Sequence, residues 1–152
     1  MCIPWIDIDI DVRYATIAGL SYMMAETDIV MLAAQSLLAN GSVMCSKGSG
    51  IVACVAKEDQ VPVLVCCETY KFDDRCAINA LDNKNELREY SIEGGNKGES
   101  ISFVDIVHDV IPATLVTACI TEVGIIPSTS VATIITENEK KRKDLDEMEF
   151  DE

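Results

Sequence analysis

The run Val61-Pro62-Val63-Leu64-Val65-Cys66-Cys67 is apolar at every position, short for a helix and rich in β-branched residues. A strand with this pattern must bury both faces, the condition of an interior strand in a mostly parallel sheet. Pro62 stands at its start, where no ladder donor is required. Asp28 to Ala34 has the same character. Before it, Tyr14 to Glu26 spaces Ile17, Leu20, Ser21 and Met24 near one face of a helix. Such alternation predicts an α/β fold, a mostly parallel sheet with helices packed on it, and places any ligand beyond the carboxyl ends of the strands.

The remaining elements follow from the same periodicities. Ile6 to Val12 alternates Ile and Asp, as in a half-buried strand carrying Asp7, Asp9 and Asp11 outward. The triplet is no calcium loop, because position six is Val12 instead of Gly and position twelve is Ala18 instead of Glu. Asn40-Gly41 marks a turn, and Ser46-Lys47-Gly48-Ser49-Gly50 leads into a helix over Ile51 to Lys57. The polar stretch 81–100, with Gly94, Gly95 and Gly98, reads as a long loop. Ile101 to Val107 reads as a strand. Pro112 opens a helix over Ala113 to Glu122 with Leu115, Val116, Cys119 and Ile120 inward. Pro127 to Ile135 is the last apolar element. Residues 1–136 are expected to form one domain, followed by a charged, solvated tail over 137–152.

Charge narrows the partners. Twenty-six acids against twelve bases give a net charge of −14, which repels a phosphate backbone and argues against direct nucleic-acid binding. The tail holds eight acids and four bases, so the domain itself stays acidic. A basic protein partner fits. The seven cysteines form no C-x-x-C pair and several lie in apolar runs, which points to a reducing compartment and a cytoplasmic address. No apolar run reaches the length of a membrane helix, and the amino terminus lacks the pattern of a signal peptide.

Candidate chemistry is sparse. Lys47, Gly48 and Ser49 open a helix whose free N–H groups and dipole suit an anion, although the loop lacks the glycine spacing of a phosphate-cradling Walker motif. His108 adjoins Asp109, but neighbours on a strand point to opposite faces and do not make a dyad. Cys66 and Cys67 stand beside Glu68 in an apolar setting that opposes thiolate formation, so they read as buried strand cysteines. No cysteine or histidine spacing suits a metal, and no cofactor is expected.

Three stretches carry a resemblance: Leu38-Ala39-Asn40-Gly41-Ser42-Val43-Met44, Val61 through Phe72, and Ile120-Thr121-Glu122-Val123-Gly124-Ile125-Ile126-Pro127. In this order they resemble the delta-subunit family of translation initiation factor 2B, with Asp109-Val110-Ile111-Pro112 similar to that family's Asp-Val-Thr-Pro. The resemblance implies a Rossmann-like domain, shortened by the family's amino-terminal helical domain and the first strands of its sheet. It implies a non-catalytic regulatory or scaffold subunit of a guanine-nucleotide exchange factor. The direct partner would be a beta-type subunit, followed by alpha, gamma and epsilon subunits and by initiation factor 2. The interface would include Val104 and Ile106, with Tyr70 and Phe72 beside them.

The same family includes sugar-phosphate isomerases acting on ribose bisphosphate or methylthioribose phosphate, which makes an isomerase the alternative reading. Their Gly-Ala-Asp segment corresponds to Ala33-Ala34-Gln35, so Gln35 occupies the place of the catalytic acid and cannot exchange a proton as a carboxyl does. The family's catalytic cysteine is expected upstream of this chain. The family's Ser-Arg-Val-Gly-Thr turn becomes Cys45-Ser46-Lys47-Gly48-Ser49, which displaces the basic residue by one position. A third reading is a degenerate fragment without independent activity, its sheet edge and apolar surface exposed.

Overall fold

A computed structural model describes residues 10–80, 87–93, 100–137 and 140. Nine strands occur among them: β1 (Val30–Leu38), β2 (Val43–Ser46), β3 (Val63–Cys66), β4 (Phe72–Asp73), β5 (Leu87–Glu93), β6 (Ser100–Ile106), β7 (His108–Ile111), β8 (Ala118–Thr121) and β9 (Gly124–Ile126). The main sheet runs β7-β2-β1-β3-β8-β9, with β4 added to β1 beyond the end of β3. Its centre, β1-β3-β8, is parallel, while β2, β7 and β9 join antiparallel. The expected α/β architecture of a mostly parallel, Rossmann-like centre with flanking helices is therefore present.

Helix α1 (Leu20–Met24) follows a 3₁₀ turn over Ile17–Gly19, α2 (Ser49–Glu58) connects β2 to β3, and α3 covers 131–137. Burial assigns each sheet residue a face. Val63 and Val65 of β3, Cys119 of β8 and Ala34 of β1 are buried, as is Cys67 just past β3, with Ala53 of α2 and Val131 of α3 in the same clusters. Removing these side chains from water supplies most of the drive to fold, at about 25 cal/mol per Å² of apolar surface. The α2 terminus is closed by a paired turn. The Val61 N–H donates to the Ala56 carbonyl at 2.7 Å and the Gln60 N–H to that of Lys57 at 3.2 Å, which puts Gln60 in the left-handed region at φ 60.

Several expectations need correction. Ala113 to Glu122 is not a helix: Ala113–Leu115 forms a 3₁₀ turn and Ala118–Thr121 is β8, because Cys119 alternates with flanking residues to bury one face beside Val65. The stretch 81–100 is not loop throughout, since β5 pairs antiparallel with β6 in a separate two-stranded sheet. Its register sets Tyr90 opposite Phe103 and Ile92 opposite Ile101. The helix expected over Tyr14 to Glu26 shrinks around Gly19, whose backbone entropy disfavours a helix interior. Residues 10–12 are not strand; the rest of Ile6 to Val12, and most of the charged tail, lie outside the described residues.

Candidate functional site

A groove runs along the carboxyl ends of the parallel strands. Its first lobe, about 270 Å³, lies among Ala33 of β1, Cys66, Cys67, Glu68 and Lys71 after β3, and Ile120, Thr121 and Glu122 at the end of β8. The second, about 330 Å³, shares Lys71 and adds Gln35, Ser36, Met44, Tyr70, Phe72, Asp73, Arg75 and His108. A larger hollow of about 450 Å³ sits at the opposite end of the strands, around Lys57, Gln60, Val61 and Thr117. The strand-end groove is the better candidate, because a parallel sheet gathers its loops and convergent polar groups at that end.

Gln35 enters this groove through an irregularity in the sheet. Ala34 pairs with Cys45 and Ser36 with Met44, so Gln35 is the extra residue of a β-bulge between β1 and β2. A bulge re-aims a side chain that regular alternation would send elsewhere. Gln35 is exposed and lines the second lobe.

The groove's charges are held by near neighbours. Lys71 Nζ lies 2.7 Å from Glu68 Oε2 and 5.6 Å from the Tyr70 ring centroid. This contact holds the Glu68 carboxyl below its ordinary range and raises the Lys71 ammonium. The Thr69 N–H donates to both oxygens of Glu122, at 3.0 and 3.1 Å, and the Thr69 hydroxyl donates to Oε1. These bonds hold the Glu122 carboxyl down as well, chiefly through the hydroxyl. Arg75 grips Asp73 through Nε at 2.9 Å and Nη2 at 2.7 Å, with the same effect on the Asp73 carboxyl. Ser36 Oγ donates to the Lys71 carbonyl at 3.1 Å and fastens the 69–75 segment to β1. The acids therefore favour their ionised form and serve as anchors of the rim.

Burial pushes the Cys67 thiol up to about 11, and those of Cys119 and Cys45 to about 11 and about 12. None is a ready nucleophile. Cys67 is buried as expected, but Cys66 is only half-buried and lines the first lobe. Among the described residues, no group of three or more His, Cys, Asp and Glu side chains is placed to hold a metal ion.

The helix start over Lys47, Gly48 and Ser49 has its own anion. Gly48 N–H and Gly50 N–H both donate to Asp109 Oδ2 at 2.8 Å, and Lys47 Nζ pairs with Asp105 Oδ1 at 2.9 Å. Gly48 has φ +94, and a Cβ on Gly50 would lie 3.1 Å from the same Asp109 oxygen, so glycine serves both positions. Ser49 is the first residue of α2. His108 faces the groove while Asp109 turns to α2, the opposite sides expected of strand neighbours. Tyr70, 79% exposed, and the half-buried Phe72 meet in the second lobe, where Phe72 also packs on the core. Val104 is 55% exposed and Ile106 half-buried on β6, away from the groove lining. Sequence reasoning did not single out Asp73, Arg75 or Glu122; their partners come from other loops or from turn geometry.

The model of the initiation factor 2 subunit family matches residues 2–128. The chain belongs to this family. It is 30% identical over 143 residues to translation initiation factor eIF2B subunit delta of Schizosaccharomyces pombe, covering 84% of this chain and 31% of that protein. It is 35% identical over 125 residues to ribose 1,5-bisphosphate isomerase of Methanocaldococcus jannaschii, covering 80% of this chain and 40% of that one. The crystal structure of translation initiation factor eIF-2B from Pyrococcus horikoshii matches with a TM-score of 0.60 and 26% identity, over 78% of this chain and 40% of that chain. The chain thus spans less than half the length of each of these relatives. Among the described residues, no helix is long and apolar enough to cross a membrane.

Proposed function

We propose that this chain acts as a non-catalytic, delta-type subunit of the guanine-nucleotide exchange factor for initiation factor 2, working through protein contacts. The observation that carries the reading is Gln35. It lines the groove from a bulge, at the place where the isomerase pattern has its acid, and an amide cannot take or give the proton that isomerisation requires. The protonated, buried Cys67 and the engaged carboxylates of Glu68 and Glu122 agree with a groove built for support. The relationship to the fission-yeast delta subunit supports the exchange-factor setting. A beta-type subunit is then the direct partner, with alpha, gamma and epsilon subunits and initiation factor 2 beyond it. Val104 and Ile106 on β6, and Tyr70 and Phe72 at the groove, supply apolar contact surface.

The 35% identity to an archaeal ribose 1,5-bisphosphate isomerase favours sugar-phosphate isomerisation as the second reading. Two assays on the purified chain separate them. The exchange-factor reading predicts that adding the chain to the other subunits changes the rate of GDP release from initiation factor 2, with no conversion of ribose 1,5-bisphosphate followed by phosphorus NMR. Catalytic conversion that is lost on changing groove residues, with no effect on GDP release, would reverse the assignment.

A further inference from the structure

The chain contains a single Asn-Gly pair, Asn40-Gly41. Such a pair is chemically labile, because glycine has no side chain to shield its amide nitrogen from the neighbouring carboxamide. In the reaction the Gly41 nitrogen attacks the Asn40 side-chain carbonyl carbon, and the Gly41 amide proton leaves with Nδ2 as ammonia. The resulting succinimide takes up water at either carbonyl to give aspartate or isoaspartate. Here the fold holds both reacting groups. The Gly41 N–H donates to the Leu38 carbonyl at 2.8 Å. Asn40 Oδ1 accepts the Ser42 N–H at 3.2 Å, and Asn40 Nδ2 donates to the Ala77 carbonyl at 2.8 Å. Gly41 is also buried, so close to Ser128 that a Cβ on it would lie 3.1 Å from the Ser128 carbonyl oxygen.

We propose that Asn40 is a latent deamidation site held shut by the segment 73–77, and that the reaction, once it occurs, releases this segment. The segment reaches the turn through two bonds, since the Ala77 carbonyl holds Asn40 and the Arg75 carbonyl accepts the Ala39 N–H at 3.1 Å. Its shape is set by Asp73, which pairs with Leu38 of β1. Asp73 Oδ1 accepts the Arg75 N–H at 2.9 Å, and both carboxylate oxygens hold the Arg75 guanidinium. Asp73 and Arg75 line the second lobe of the groove, so attack on Asn40 waits until this wall lets go. The product reverses the contact. A carboxylate at position 40 has no proton to give the Ala77 carbonyl and sets two acceptors against each other. Isoaspartate also adds a methylene to the main chain of the turn that the Leu38 N–H closes on the Ser42 carbonyl at 2.9 Å. The inference rests on the turn and does not depend on the exchange-factor reading.

The test ages the full chain at neutral pH beside a synthetic peptide of residues 36–45, and peptide mapping by mass spectrometry follows asparagine, aspartate and isoaspartate at position 40. The folded chain is expected to react about tenfold or more slowly than the peptide, since opening must break the Asn40 and Gly41 bonds together. Asp73→Ala removes the clasp on Arg75 and is expected to raise the folded chain's rate about threefold or more, with circular dichroism to verify folding. If Asp73→Ala does not fold, Arg75→Ala removes the same clasp. Asn40→Asp, made directly, is expected to be cut by trypsin after Arg75 about threefold or more faster than the unaltered chain. Equal rates in the folded chain and the peptide overturn the proposal. An unchanged rate in the folded clasp variant overturns it too, as does unchanged cleavage of Asn40→Asp.

Discussion

Replacing Asp109 with alanine tests how the acidic β7 strand is tied to the start of α2. The substitution removes the single oxygen that accepts both the Gly48 and Gly50 N–H bonds, each 2.8 Å long, where Gly48 has no side chain to cap the helix itself. Losing a helix cap costs about 1 kcal/mol, and losing a carboxylate at the positive end of the helix dipole costs about 0.5–1 kcal/mol more. The sum is about 2 kcal/mol. Asp109→Asn keeps one acceptor oxygen and loses the charge, so about 1 kcal/mol is expected. Urea unfolding followed by circular dichroism reads the difference: with a slope of about 2 kcal/mol per M, Asp109→Ala lowers the midpoint on the order of 1 M without changing the slope. A drop below about 0.2 M would refute the reasoning, since it would mean that water replaces the carboxylate at no cost.

Three further outcomes follow from local geometry. Gln60→Gly relieves left-handed strain of about 1 kcal/mol at φ 60 and returns about 0.5 kcal/mol to the unfolded chain's entropy. A net gain of about 0.5 kcal/mol is expected in the same unfolding assay. The thiols of Cys45, Cys67 and Cys119 titrate at about 11 to 12 in the folded protein against 9.0 ordinarily. The unfolded chain therefore loses protons first, so stability is intact below pH 9 and falls as the pH rises towards 11. Mass mapping after brief alkylation at neutral pH is expected to label the exposed Cys54 and Cys76 and to spare those three until the chain unfolds; equal labelling of all five would contradict the burial assigned to them.

The parts of the fold legible in the sequence are those that local pattern decides. Val61 to Cys67 declares an interior strand because it is apolar throughout and rich in valine, and the Asn40-Gly41 turn appears because glycine takes φ +80 there. Ala113 to Glu122 is ambiguous, since a short apolar run satisfies both periods; Val116, Thr117, Ile120 and Thr121 were the β-branched signal for the strand. β2 is too short for its pattern to register, and β5 is polar enough to hide in a loop. The site depends on distant pairing. Asp109 meets Gly48 across 61 residues and Thr69 meets Glu122 across 53, separations that no periodicity encodes. The stretches resembling the exchange-factor family did contain Lys71 and Glu122, yet only the fold brings them to one groove. Gln35 was legible as a departure from the isomerase pattern; its place on a bulge was not, because a bulge is a property of two strands.

The central claim is that this chain works as a subunit through protein contacts. Light scattering on the product of co-expression with a beta-type subunit from the same organism tests it most directly. The account predicts a stable hetero-complex whose mass includes both chains and which is weakened by Val104→Asp or Tyr70→Asp, both at exposed positions. A folded chain that elutes alone beside its intended partner would contradict it.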